Sequence, residues 1–147
     1  MLGSDIEARI ADVGGLLLVE GAAGFAALRD GGELRVPNKT PAAYVVVLRE
    51  QPQPDQRDTG LSVLQRVVYH VAVITCVKVA NDMHGEKTNA RSDQVRQGIR
   101  DKLFGWVPPN FEGAIVRGPS TLFDFAGGAH WHQDEFMTDR YEEPING

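Results

Sequence analysis

The longest alternation of apolar residues in the chain lies at residues 67–79. One set of alternate positions holds valine, tyrosine and threonine, and the other holds mainly valine, alanine, isoleucine and cysteine. Side chains alternate between the two faces of a β-strand, so both faces of this segment are largely apolar. The pattern predicts a long strand that is covered on both faces.

A second apolar run, at residues 42–48, is rich in β-branched residues and predicts another buried strand. Residues 51–58 lie between the two strands and contain prolines and charged side chains, which oppose both a helix and a central strand. We interpret them as an exposed, mobile loop. A parallel crossover usually needs a dozen or more residues that include a helix, so the two strands are expected to form an antiparallel hairpin with this loop at its tip.

Helical spacing of apolar residues appears in two places. Residues 5–13 predict a short amphipathic helix with Ser4 or Asp5 as its N-cap. Residues 92–104 predict a longer helix, and Gly105 would end it.

Shorter elements complete the predicted fold. Residues 16–19 predict a buried strand and residues 22–28 one or two helical turns. Near the end of the chain, short strands are expected at 114–116, 122–126 and 129–136, separated by Gly-Pro and Gly-Gly turns. The prediction is an α/β fold of the α+β type, with a mostly antiparallel or mixed sheet, two main flanking helices and a long exposed hairpin loop.

Length and composition favour one globular domain. The chain has 147 residues, of which 42% are hydrophobic and 24% charged, which is close to the globular norm. We assign residues 1–141 to a single domain. Residues 142–147 combine acidic residues with Pro144 and lack periodicity, so they are expected to be an extended or disordered tail.

The net charge of −5 disfavours tight binding to nucleic acid or to anionic lipid. No stretch is apolar for the roughly 18 residues that a spanning helix needs, and the first residues lack a secretion signal, so the protein is expected to stay where it is made. Cys76 has no second cysteine to pair with. Because it lies in an apolar run, we expect a buried, inert thiol.

One cluster could in principle bind a metal. His130, His132 and Asp134 alternate along a predicted strand, so they share one face, and zinc sites use such ligands. The signal is weak, because an edge strand with one polar face explains the same residues without a metal. We therefore expect no metal site.

Motifs for other catalytic chemistry are missing from the sequence. None of the serines lies in a Gly-x-Ser-x-Gly turn, and the glycine pairs form neither a dinucleotide-binding nor a phosphate-binding loop. We expect no catalytic residues, no cofactor and no enzyme activity.

Several stretches of the chain resemble the phage tail terminator family of long-tailed bacteriophages, in particular its Mu-like branch. The resemblance covers residues 2–141, and its most specific part is the last stretch. The stretches are Leu-Val-Glu-Gly-Ala-Ala at 18–23, Thr-Pro-Ala-Ala-Tyr-Val at 40–45, the strand at 67–77, Leu-Phe-Gly-Trp at 103–106, Leu-Phe-Asp-Phe at 122–125, residues 127–136 and Thr-Asp-Arg-Tyr at 138–141.

The resemblance implies a structural virion protein at the head-tail junction. Such a subunit would form a hexameric ring with copies of itself on the head-proximal end of the tail tube, stop tube polymerisation and contact the tail tube protein and the neck or head-completion protein. DNA would only pass through the lumen, no membrane would be involved, and assembly would take place in the host cytoplasm.

Interfaces in such a ring are expected to use loops, sheet edges and aromatic anchors. The candidate interface residues are Pro52, Pro54, Asp55, Arg57, Trp131, Gln133, Asp139, Arg140 and Tyr141. For Trp131, ordinary core packing is an equally good interpretation.

Two other classes of function stay open from the sequence. One is a small metal-dependent enzyme that uses His130, His132 and Asp134. The other is a cytoplasmic protein-binding module whose loop at residues 51–58 docks a partner.

Overall fold

Five strands of the chain form one mixed sheet. The computed structural model describes residues 1–30, 32–55, 63–82, 84–124 and 128–145. In chain order, the elements are α1 (Leu2–Ile10), β1 (Leu18–Gly21), α2 (Ala22–Ala26), β2 (Arg29–Asp30), β3 (Glu33–Leu34), β4 (Ala42–Pro52), β5 (Gln65–Val77), α3 (Glu86–Leu103), β6 (Val116–Asp124) and β7 (His130–Glu142). The large sheet has the order β1-β4-β5-β7-β6, and β2 and β3 form a separate two-stranded hairpin.

The predicted α+β class and the predicted antiparallel hairpin are both confirmed. β4 and β5 pair antiparallel, with Val45 opposite Val73, and β7 pairs antiparallel on the other side of β5. Only β1 runs parallel to its neighbour, β4. The β-branched residues of β4 and β5 thus lie in the centre of the sheet, where they pack well on a pleated surface.

One face of the sheet is covered by α1 and α3. Valines 71 and 73 of β5 pack there against Ile6 and Ile10 of α1 and against Ile99 of α3, all almost fully buried. Burial of each such side chain stabilises the fold by about 1.5–3 kcal/mol. This layer is the main hydrophobic core.

The second face of the sheet is covered only in part. A smaller core lies there, in which Tyr44, Ile74 and Trp131 are buried and Phe25 of α2 packs against them. Farther along the strands, no described helix packs over the sheet. We call this uncovered part the open sheet face; it consists of Val68, His70, Val116, Met137 and Tyr141, of which Val116 and Tyr141 are exposed and the others half-buried. The expectation that both faces of β5 are covered is therefore wrong for its first half.

Both main helices begin earlier than predicted. α1 starts at Leu2, so Ser4 lies inside its first turn, where its hydroxyl donates to the Met1 carbonyl oxygen at 2.9 Å; the predicted caps at Ser4 or Asp5 are wrong. α3 starts at Glu86 instead of residue 92. Its first turns bury the polar Thr88, so apolar spacing alone did not reveal where α3 begins.

The shorter elements also differ in their bounds. The predicted strand at 16–19 is β1, displaced to 18–21 and only half-buried, and the helical turn ends at Ala26. β4 extends to Pro52, so Gln51 and Pro52 belong to a strand and not to the loop. β5 starts two residues before 67 and ends at Val77. Residues 56–58 of the predicted loop lie outside the described residues.

The last two strands differ most from the prediction. Gly118 and Pro119 do not separate two strands; they lie within β6, where the pairing with β7 shifts between Arg117 and Ser120. β6 is an edge strand, and an edge strand tolerates proline because its outer N–H groups need no partner. β7 pairs on both sides, so the explanation of its histidines by an edge strand is wrong.

β7 also extends to Glu142, one residue into the predicted tail. Residues 143–145 lie in neither a helix nor a strand, and 146–147 lie outside the described residues. The assignment of residues 1–141 to one domain stays a prediction. Within the ranges given above, no helix has the length and apolar character needed to cross a membrane.

Candidate functional site

Asp134 of β7 is a buried carboxylate held by two neighbouring elements. Arg96 of α3 donates to its two oxygens from Nε and Nη2, at 2.8 and 2.9 Å, and the Ser120 hydroxyl of β6 donates at 2.5 Å. Burial alone would raise the pKa of Asp134, but the hydrogen bonds from Arg96 and Ser120 outweigh it, and the pKa is lowered. The ion pair therefore joins α3 to the sheet.

His132 lies beside this ion pair, on the same face of β7. Its Nδ1 is 3.3 Å from the hydroxyl of Ser92, which is fully buried. Burial lowers the pKa of His132, and the positive charge of Arg96 lowers it further. The rings of His130 and His132 have centroids 6.5 Å apart. The neutral imidazole thus fits the site.

Ser92, His132 and Asp134 resemble the components of a hydrolase, but their geometry does not support one. Asp134 contacts Arg96 and Ser120, and the side chain of Ser92 is fully buried. A nucleophile must meet substrate, and its base must be oriented by the third group. These residues instead hold α3 against β7.

The same contacts bear on metal binding. Both oxygens of Asp134 already accept hydrogen bonds. Among the described residues, no group of three or more His, Cys, Asp or Glu side chains is placed to hold a metal ion. Nothing in this arrangement distinguishes His130 or His132 as a ligand.

Most of the candidate interface residues come together at one end of the sheet, which we call the distal end. Pro52 of β4 lies opposite Val67 of β5, which lies opposite Arg140 of β7. The distal end, which adjoins the open sheet face and shares Tyr141 with it, includes Pro52, Pro54, Asp55, Asp139, Arg140 and Tyr141. Arg57 lies outside the described residues.

Several contacts fix the side chains of the distal end. The Arg140 guanidinium lies 5.1 Å from the ring centroid of Tyr69 and 5.2 Å from that of Phe111. Asp139 forms an ion pair with Arg66, and the backbone N–H of Leu64 donates to Asp55 at 3.0 Å. These side chains are thus held in place before any partner binds, which reduces the entropy lost in an interface.

Trp131 and Gln133 lie toward the other end of β7. Trp131 is 0% exposed and its ring packs against Phe25 and Phe123, with centroids 6.3 and 6.1 Å away. Of the two interpretations left open by the sequence, core packing is the one that this arrangement shows. Gln133 is half-buried opposite Ile74.

The open sheet face was missed by the sequence analysis. Val68, Val116 and Met137 line a shallow cavity of about 280 Å³ there. His70 is held between Arg49 and Gln51, at 3.2 Å from each. The alternation along β5 is the same in its open and covered halves, so the sequence offers no local signal that distinguishes them.

The free edges of the sheet are poor templates for adding another strand. β1 has only four residues, and β6 contains Pro119 and two register shifts. Short edge strands, prolines and bulges all block pairing with a further strand. Contacts with other proteins are therefore expected through faces and loops.

Comparison with known proteins identifies the class of protein. A model of the family "Phage tail terminator protein" matches residues 3–144. The chain belongs to this family, and it is a structural protein of the bacteriophage tail. The Mu-like branch stays a prediction.

Two further comparisons add little. No curated protein matches the chain significantly. Solved structures do match, among them a chain of "Virion of native gene transfer agent (GTA) particle", which is 14% identical, with a TM-score of 0.44 over 93% of this chain and 84% of that one. At that identity and TM-score, the likeness carries no argument about function.

Proposed function

We propose that this chain forms a hexameric ring on the head-proximal end of the tail tube. The ring ends tube polymerisation and presents a surface to the neck or head-completion protein. The observation that carries the proposal is the family match over residues 3–144. The role is structural, with no enzyme activity and no cofactor.

The surfaces of the subunit fit such an assembly. A cyclic ring joins two different patches head to tail, so each subunit needs two separate contact surfaces. The open sheet face supplies one of them: Val68, Met137 and Val116 form an apolar centre. The polar side chains beside it, such as His70 and Arg66, already have partners. An apolar centre with satisfied polar surroundings is typical of protein interfaces.

The distal end is the second region that we assign to contacts, either with the tail tube protein or with the neck protein. Tyr141 is 43% exposed there, and Arg140 is fixed by two aromatic rings. Tyrosine and arginine are enriched among residues that dominate binding energy.

DNA passes through the lumen of the ring without being bound tightly. The net charge of −5 supports this, because it gives no general attraction for phosphates. Assembly takes place in the host cytoplasm, and no membrane is involved.

Native mass spectrometry of the purified protein, followed by assembly with the tail tube protein, tests the proposal. We expect a species of six times the subunit mass, and tubes that stop growing once it is added. A protein that stays monomeric at all concentrations, and leaves tube growth unchanged, would contradict it.

A further inference from the structure

A cleft lies between α2 and the segment that follows β3. It has a volume of about 380 Å³, and its lining includes the apolar side chains of Leu18, Leu28 and Val36. We call it the α2 cleft. It is large enough for one or two side chains of a peptide.

The charges that line the α2 cleft favour an acidic occupant. Arg35 and Lys39 line it, and Glu20 is the one carboxylate in the lining. Arg35 donates from Nη2 to the Ala27 carbonyl oxygen at 3.0 Å. Lys39 forms no ion pair within the part of the chain that the structure describes. On a chain with a net charge of −5, this local excess of cations stands out.

The C-terminal residues after β7 have the complementary chemistry. Glu143 carries a negative charge, Pro144 fixes one backbone torsion, and Ile145 is 99% exposed. We call Glu143–Ile145 the tail segment. A large apolar side chain that is fully exposed gains free energy when it is buried in a partner.

The tail segment cannot reach the α2 cleft of its own subunit. The cleft lies beside Tyr44, near the start of β4, whereas the tail segment leaves β7 at the end level with Pro52. Eight residues of strand separate these levels by about 25 Å. The three residues of the tail segment span at most about 10 Å. Any tail in the cleft must therefore come from another subunit.

We propose that the tail segment of one subunit binds in the α2 cleft of its neighbour in the ring, with Ile145 against the apolar wall and Glu143 beside Lys39. The proposal rests on the ring described under the proposed function, because it requires a neighbouring copy. It adds two different patches, the tail segment and the α2 cleft, to the head-to-tail contact in which the open sheet face takes part.

Disulfide cross-linking tests this contact directly. Cys76 is fully buried, so the thiols available for cross-linking among the described residues are those of the newly introduced cysteines. The variant A27C/I145C pairs an exposed position in the lining of the cleft with the tail segment. We expect oxidation to give covalent dimers and larger species on a non-reducing gel. The matched control A8C/I145C, which places the thiol on the exposed side of α1, should give far fewer.

The outcomes separate this inference from the proposed function. Rings detected by native mass spectrometry that do not cross-link in A27C/I145C would overturn the tail contact and leave the ring intact. A chain that never forms rings would overturn both. A mixture of the two single-cysteine variants should give a disulfide between different chains, and its absence would also contradict the proposal.

Affinity provides a second test. I145D should raise the concentration at which the ring dissociates by about tenfold or more, because the burial of one large aliphatic side chain is lost. I145V should change it little. Equal dissociation of wild type and I145D would contradict the contact.

Discussion

Removal of Arg96 should destabilise the monomer strongly. Its side chain is 13% exposed and that of its partner, Asp134, is 9% exposed, so water screens the ion pair poorly. In the variant R96M, Asp134 keeps only the hydrogen bond from Ser120. Loss of one partner of a buried ion pair costs about 3–5 kcal/mol, because the remaining charge is buried without compensation.

Urea denaturation at pH 7, followed by circular dichroism, measures this free energy. The control R91M changes an exposed arginine on the same helix and should alter stability by less than about 0.5 kcal/mol. The double variant R96M/D134L should recover much of the loss, since no buried charge remains. If the free energy of unfolding of R96M lies within about 1 kcal/mol of the wild-type value, the reasoning is refuted. That limit is about twice the effect of a typical surface substitution.

The same ion pair predicts a pH dependence. The pKa of Asp134 is lowered in the fold, so its contribution to stability is fully present above the unfolded value of about 3.9. This contribution is lost as the pH falls through the pKa that Asp134 has in the folded protein. The free energy of unfolding of wild type should therefore fall more steeply below pH 4 than that of R96M. Equal slopes of this free energy against pH would contradict the role of the Arg96–Asp134 ion pair.

Four further predictions concern other parts of the molecule. The pKa of His132 is lowered by burial and then by the charge of Arg96, so protonation of His132 opposes folding. The free energy of unfolding of wild type should therefore fall as the pH drops below about 6.5, whereas that of H132Q should not. Parallel curves of stability against pH for the two proteins would contradict this prediction. The pKa of Tyr44 is raised to about 12, mainly by burial and also by Glu20, so ultraviolet titration should find a tyrosine that ionises near that pH. W131A should cost about 3–5 kcal/mol in urea denaturation, since the side chain is fully buried, and a much smaller loss would argue against its place in the core. M137D should abolish ring formation and leave the circular dichroism spectrum of the monomer intact; intact rings would exclude the open sheet face from the interface.

The sequence was most informative where local pattern and tertiary position agree. β4 and β5 are rich in β-branched residues and lie in the centre of the sheet, so propensity and burial gave the same answer. Gly105 was expected to end a helix, and it does follow α3 with a positive φ of 85°, a backbone conformation that glycine adopts without strain.

Elements whose character depends on their neighbours were predicted poorly. β7 was interpreted as an edge strand because the pairing of β6 along its outer side could not be known from residues 129–136. The proline at 119 suggested a break because the sequence does not reveal that β6 lies at the edge, where proline is tolerated. Val68 is only half-buried because no described helix covers it, which only the assembled fold shows.

Two residues of the candidate site stand out in the sequence, but their partners and contacts do not. His132 and Asp134 were singled out for a possible metal, and the structure gives them Ser92 and Arg96 as partners. Those partners lie 40 and 38 residues away in the chain, so no motif could have connected them. The residues of the distal end come together because β4, β5 and β7 pair in that order, and their role in contacts stays a prediction.

Electron microscopy of tail tubes capped with a labelled subunit tests the central claim most directly. Tubes assembled from the tail tube protein would be mixed with the chain carrying a gold label on α1, whose outer side is exposed, and their ends would be imaged and averaged. The account predicts a six-fold ring at one end of each tube and no label along its length. Label along the tube walls, or no label on the tubes at all, would contradict it.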